Sequence, residues 1–181
     1  MRVAMPTIFT HAAVAVGLGR SLTTARQPAG FWWLTALAAI LPDFDAITFK
    51  LGIAYASMWG HRGFTHSVVF AVLVGICLTW LTPGRWRGGW SRVALTGWFV
   101  AATVSHPLLD MLTNGGLGVA LLAPFGGERF FWPWRPVRVS PVGGGFFSGR
   151  GAATLLSELR WLWLPTGLVL AAALTRRRSA R

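Results

Sequence analysis

Residues 31–53, FWWLTALAAILPDFDAITFKLGI, put a long apolar run directly against a proline and two aspartates. The run approaches the roughly 20 residues that a helix needs to cross a bilayer. Pro42 removes a backbone donor and disfavours helix at Leu41, so this span is expected to break where the acids begin. A break inside a membrane is tolerated only where the backbone lines a protein-buried or watery cavity. Asp43 and Asp45, about 200° apart on a straight helix, could then turn toward one site.

The rest of the chain has the same character. Over 181 residues, 54% are hydrophobic and 12% charged, with mean hydropathy +0.53, which is too apolar for a soluble domain of this size. Apolar stretches at about 4–19, 31–53, 64–81, 93–112 and 155–174 predict an all-α, polytopic membrane bundle of about five transmembrane helices. One of those helices is broken, and the chain forms a single integral-membrane domain. The first stretch carries His11 and lacks a cleavage site, so it reads as a retained helix. Gly and Pro density over 113–153 predicts a non-helical segment, and the aromatic residues of RFFWPWRP predict that it lies along the outer membrane interface. Cys77 is the only cysteine, which excludes an intrachain disulfide and gives no argument for a thiolate metal site.

The net charge of +12 comes mostly from arginines that flank the apolar spans. Arg20 and Arg26 fall between the first and second, Arg85, Arg87 and Arg92 between the third and fourth, and RRRSAR ends the chain. Short basic loops tend to stay cytoplasmic, so the N-terminus is expected outside and the C-terminus inside. This placement favours topology and anionic lipid over nucleic acid as the meaning of the charge.

The ionisable groups within the spans point to chemistry. The four histidines, His11, His61, His66 and His106, and the three aspartates, Asp43, Asp45 and Asp110, all fall in or beside apolar stretches, where each costs about 2.5–3.5 kcal/mol to insert. In the five-helix topology all seven converge on one depth toward the outer face. HPLLD puts His106 and Asp110 at i and i+4 on one helix face. In HRGFTHS, Gly63 permits a tight turn and Thr65 could cap the third helix. Taken singly, each group has an ordinary explanation: a packed His11, an i,i+4 pair, a capping Asp43. Taken together they predict a metal site. Glu158 reads as favourable charge at the start of the last helix.

THAAVAVG, LPDFD, HRGFTHS, SHPLLD and LLAPFGGERF, in this order, resemble the membrane-bound metal-dependent hydrolase family of bacteria and archaea typified by YdjM, also described as LexA-regulated inner-membrane hydrolases. The resemblance covers His11 to about Phe130. It implies a multi-helix inner-membrane protein with a His/Asp metal site and hydrolase activity. The family is in turn similar to zinc-dependent phospholipase C and P1-type nucleases, whose sites share the His-x-x-x-Asp spacing of HPLLD. Their extra histidines have no counterpart here, which argues against a three-metal site.

Imidazole with carboxylate suits Zn²⁺, with Mn²⁺ or Mg²⁺ as alternatives, and seven ligands could hold one or two ions. The expected activity is phosphoester hydrolysis of a phospholipid or other lipid phosphate by metal-activated water. Arg62 and Asp45 are the candidate catalytic residues, and Arg62, Arg135 and Arg138 the candidate phosphate binders. An amide or ester metallohydrolase, a divalent-metal transporter and a structural metal protein remain as alternatives.

Overall fold

A computed structural model describes residues 7–141 and 146–180. Residues 4–6 of the expected first span and 142–145 of the expected loop lie outside the described residues. The architecture is all-helical, with no strand among the described residues and only two isolated bridges, Thr113 with Val137 and Val119 with Phe130.

Among the described residues the long helices form five rods. They are α1 (Ile8–Leu22), α2 (Ala29–Ile40) with its 3-10 extension (Leu41–Phe49), α3 (Val68–Leu81), α4 (Arg92–Asp110), and a final rod of α5 (Gly149–Glu158), a π-helical turn (Leu159–Trp163) and α6 (Leu164–Ser179). At Leu41, next to Pro42, α-helix gives way to nine residues of 3-10 helix. The tighter winding carries the chain onward while turning its side chains through a different angle per residue.

By length and composition, one helical segment among the described residues is long and apolar enough to cross a membrane: Ala29–Phe49. Helices α1 and α3 are shorter apolar helices of 15 and 14 residues, each spanning a little over 20 Å at about 1.5 Å per residue. The outer surface is strongly apolar, with Phe9, Leu22, Trp33, Trp80, Leu81, Val93 and Leu168 all exposed. An apolar exterior of this extent marks an interaction surface rather than a face toward water.

The core lies between α2, α3 and α4, where Phe31, Ala38, Val74, Leu78, Leu95, Phe99 and Ala102 are buried together. Phe31 packs edge-on against Trp32 at 5.1 Å between ring centres, and Trp98 Nε1 donates to Thr35 Oγ1 at 2.9 Å, so the indole fills the core and keeps its polar edge satisfied. Gly75 lets α3 approach α4 closely: a Cβ there would stand 2.5 Å from Val100 Cγ2.

Two expectations about helix ends need correction. Ser67, not Thr65, caps α3 by accepting from Phe70 N at 3.1 Å, because the Thr65 hydroxyl is turned inward to Asp45. The last rod begins at Gly149, capped by Ser148, well before residue 155. Glu158 is therefore the last residue of α5 rather than a helix-start charge. It is fully buried and accepts from Thr7 N (2.6 Å), Thr7 Oγ1 (2.7 Å) and Thr10 Oγ1 (2.7 Å), which fastens the last rod to the head of α1.

Candidate metal centre

Four helix ends meet at one level: the first turns of α1 carry His11, the 3-10 extension of α2 carries Asp43 and Asp45, the turn before α3 carries His61, Arg62 and His66, and the last turns of α4 carry His106 and Asp110. All of these side chains are at most 5% exposed. The turn before α3 depends on glycine, since a Cβ at Gly63 would stand 2.1 Å from the Met58 carbonyl oxygen. Arg62 takes φ +60°, a left-handed conformation uncommon outside glycine and a form of strain that clusters at functional sites.

Asp45 organises the turn. It accepts from His61 Nδ1 at 2.6 Å, His66 Nδ1 at 3.2 Å, Arg62 N at 3.2 Å and the Thr65 hydroxyl. His106 Nδ1 faces the Ala39 carbonyl oxygen at 2.7 Å. A carbonyl or carboxylate oxygen opposite Nδ1 requires that Nδ1 carry the proton. With Nδ1 engaged in this way, the Nε2 atoms of His66 and His106 are the ones left to face inward, and they stand 3.1 Å apart.

Two carboxylates close on the same point. Asp43 Oδ1 lies 3.3 Å from His106 Nε2 and 3.8 Å from His66 Nε2, and Asp110 Oδ2 lies 3.3 Å from His66 Nε2 and 3.9 Å from His106 Nε2. Four acceptor atoms thus fall within 4.8 Å of one another. Both oxygens of Asp43 are buried without a hydrogen-bond donor, and both nitrogens of His11 and Nε2 of His61 are buried without a hydrogen-bond partner. Buried acceptors that face one another in this way suit a shared cation between them. Two ligands on a tetrahedral zinc at about 2.0–2.1 Å stand about 3.3 Å apart, close to the separations above, so the residues present fit a divalent ion.

Charge points the same way. Asp43, Asp45 and Asp110 bring three negative charges into the cluster, and Arg62 returns one through Nε, 2.9 Å from Asp110 Oδ2. With neutral histidines, one divalent cation would cancel the remainder. His11 stacks on His106 at 3.6 Å with its Nε2 3.5 Å from Asp110 Oδ1, at the edge of the quartet. A second trio, Asp45, His61 and His66, also lies close enough for an ion, although Asp45 is already surrounded by donors.

The chain matches the family model described as YdjM inner membrane protein over residues 5–180. It belongs to the YdjM family. Among curated proteins it is 39% identical to inner membrane protein YbcI of Escherichia coli K12, across 96% of this chain and 100% of that one. It is 38% identical to inner membrane protein YdjM of the same organism and of Shigella flexneri, across 52% of this chain and 52% of each relative. No solved structure matches.

Not every candidate residue of this YdjM-family chain gathers at the centre. The Arg62 donors are directed at the protein: besides Asp110, they reach Thr113 Oγ1 (3.1 Å) and the carbonyls of Gly115 (3.3 Å) and Leu117 (3.5 Å). Arg135 instead sits over the Phe131 ring at 4.7 Å, and Arg138 borders a separate surface cavity with Asn114 and Arg150.

Sequence reasoning passed over Arg129, whose guanidinium donates at 3.0–3.3 Å to the carbonyls of Tyr55, Ser57, His61, Arg62 and Gly118. It binds the turn before α3 to the long loop, and burial lowers its pKa below the usual guanidinium value. Tyr55 packs between Phe49 and His61 and accepts from Leu117 N, and burial raises its phenol above the ordinary range, so the hydroxyl stays protonated. The available signal was compositional: a carbonyl-rich turn without regular structure needs donors, and GGERF supplies one.

Proposed function

We propose that the chain is a metal-dependent hydrolase of the inner membrane, holding one divalent ion, zinc by ligand chemistry, through Asp43, His66, His106 and Asp110, and cleaving a phosphoester of a membrane lipid. The observation that carries the metal centre is the approach of two histidine Nε2 atoms to 3.1 Å between two carboxylates. When bound, such an ion supplies Lewis acidity and lowers the pKa of water.

The chain's own groups do the rest. Asp45 fixes the ring orientation and tautomer of His61 and His66. His61 Nε2 is buried with no hydrogen-bond partner of its own. Arg62 positions Asp110 and the 113–117 loop. Five crossings, with the N-terminus outside and the site toward the outer face, complete the proposal. Its support is the alternation of helix ends at the centre and the arginines at the opposite ends of α1 and α6.

One observation favours a second reading. The four ligand residues are at most 5% exposed, as suits a closed structural ion with four protein ligands.

Incubating the detergent-purified protein with a bacterial lipid extract and following products by mass spectrometry separates the two. Hydrolysis predicts a released phosphorylated headgroup that His106→Ala abolishes. Tightly bound metal with no lipid turnover by the wild type would contradict hydrolysis and leave the closed ion.

A further inference from the structure

At the far end of the bundle from the metal centre, the C-terminal end of α1, the N-terminal end of α2 and the C-terminal end of α6 surround a cavity of about 760 Å³. Arg20, Arg26, Arg177 and Arg178 line it, and none of the chain's five acids does. Four cations around one cavity with no carboxylate repel one another unless an anion joins them.

Two of the four are already fixed. The Arg177 guanidinium donates to the carbonyls of Arg20 (3.0 Å) and Ser21 (2.6 Å), closing the end of α1, and Arg20 lies over the Trp32 ring at 5.2 Å. The first turn of α2 borders the same space with no side-chain cap, adding the partial positive charge of a helix start. Trp32, Leu170 and Leu174 give the wall an apolar part, beside the polar Thr23, Thr24 and Gln27.

We infer that this cavity binds the phosphate headgroup of an anionic membrane lipid, with the arginines on the phosphate and the Trp32, Leu170 and Leu174 wall against the acyl chains. Guanidinium matches phosphate geometry, and basic pockets between helix ends on the cytoplasmic side suit such headgroups. An apolar wall beside the cations fits an amphiphile better than a free anion. The site is separate from the metal centre and stands whether or not that centre is catalytic.

Native mass spectrometry of the full chain in detergent tests this, with phosphatidylglycerol, phosphatidylcholine and inorganic phosphate as separate probes. One phosphatidylglycerol is expected per chain, no retained phosphatidylcholine, and inorganic phosphate at least tenfold weaker. Arg26→Gln with Arg178→Gln, both at exposed side chains, is expected to weaken phosphatidylglycerol at least tenfold. The charge-matched pair Arg85→Gln with Arg176→Gln, outside the cavity, should leave it unchanged. Equal weakening by both pairs, or none by the first, overturns the site, and inorganic phosphate binding as tightly as the lipid overturns the lipid assignment. If the first pair lowers the melting temperature, the single variants Arg26→Gln and Arg178→Gln carry the test, each with an expected several-fold loss.

Discussion

Asp45 shows how much of the centre depends on residues that need not touch an ion. Its four donors, from His61, Arg62, Thr65 and His66, set the imidazole tautomers that turn Nε2 atoms inward. Asp45→Asn is therefore expected to weaken metal binding about 10–100-fold while the protein still folds, read by competition with a chelator of known affinity. His66→Ala removes a ligand outright and should lower occupancy below detection in the same assay. The seven ionisable residues were legible in the sequence because an apolar span makes each of them conspicuous. The division between Asp43, whose oxygens face other acceptors, and Asp45, whose oxygens face donors, was not. It depends on how the 3-10 segment turns two residues of one short motif, which a residue pattern does not encode.

Helix ends carry the next level of the account. Gly63 sits where any Cβ would meet the Met58 carbonyl, so Gly63→Ala is expected to displace His66 and abolish metal retention even where folded protein is recovered. Glu158 joins the last rod to α1 through three buried donors. Glu158→Ala strands all three and should cost on the order of 3 kcal/mol, measured by denaturation in detergent, with Glu158→Gln retaining part of the loss. The apolar runs and Pro42 marked the all-helical character and a break at Leu41, because proline and hydropathy act locally, but not the 3-10 form that the break takes. They misplaced the last rod's start, which the local Ser148 cap sets, and the role of Glu158, whose partners Thr7 and Thr10 lie about 150 residues away. The cap of α3 was misassigned for a related reason: Thr65 and Ser67 both suit the position, and the distant Asp45 decides between them.

At the scale of the molecule, four helix ends bring three aspartates against one arginine into a closed space. A cation held there would join the halves of the bundle, so stripping metal with a chelator should lower the melting temperature of the wild type by several degrees. The same treatment should leave Asp110→Ala unmoved. Cys77 is exposed on α3 within an apolar face, and in five crossings it faces lipid, so a membrane-impermeant maleimide should not label it in intact membranes. The most direct test of the central claim is elemental analysis of the tag-free protein in detergent, wild type beside His106→Ala and Asp110→Ala. The account predicts one zinc-type ion per wild-type chain and loss in both variants. Metal-free wild type, or equal metal in all three, would contradict it.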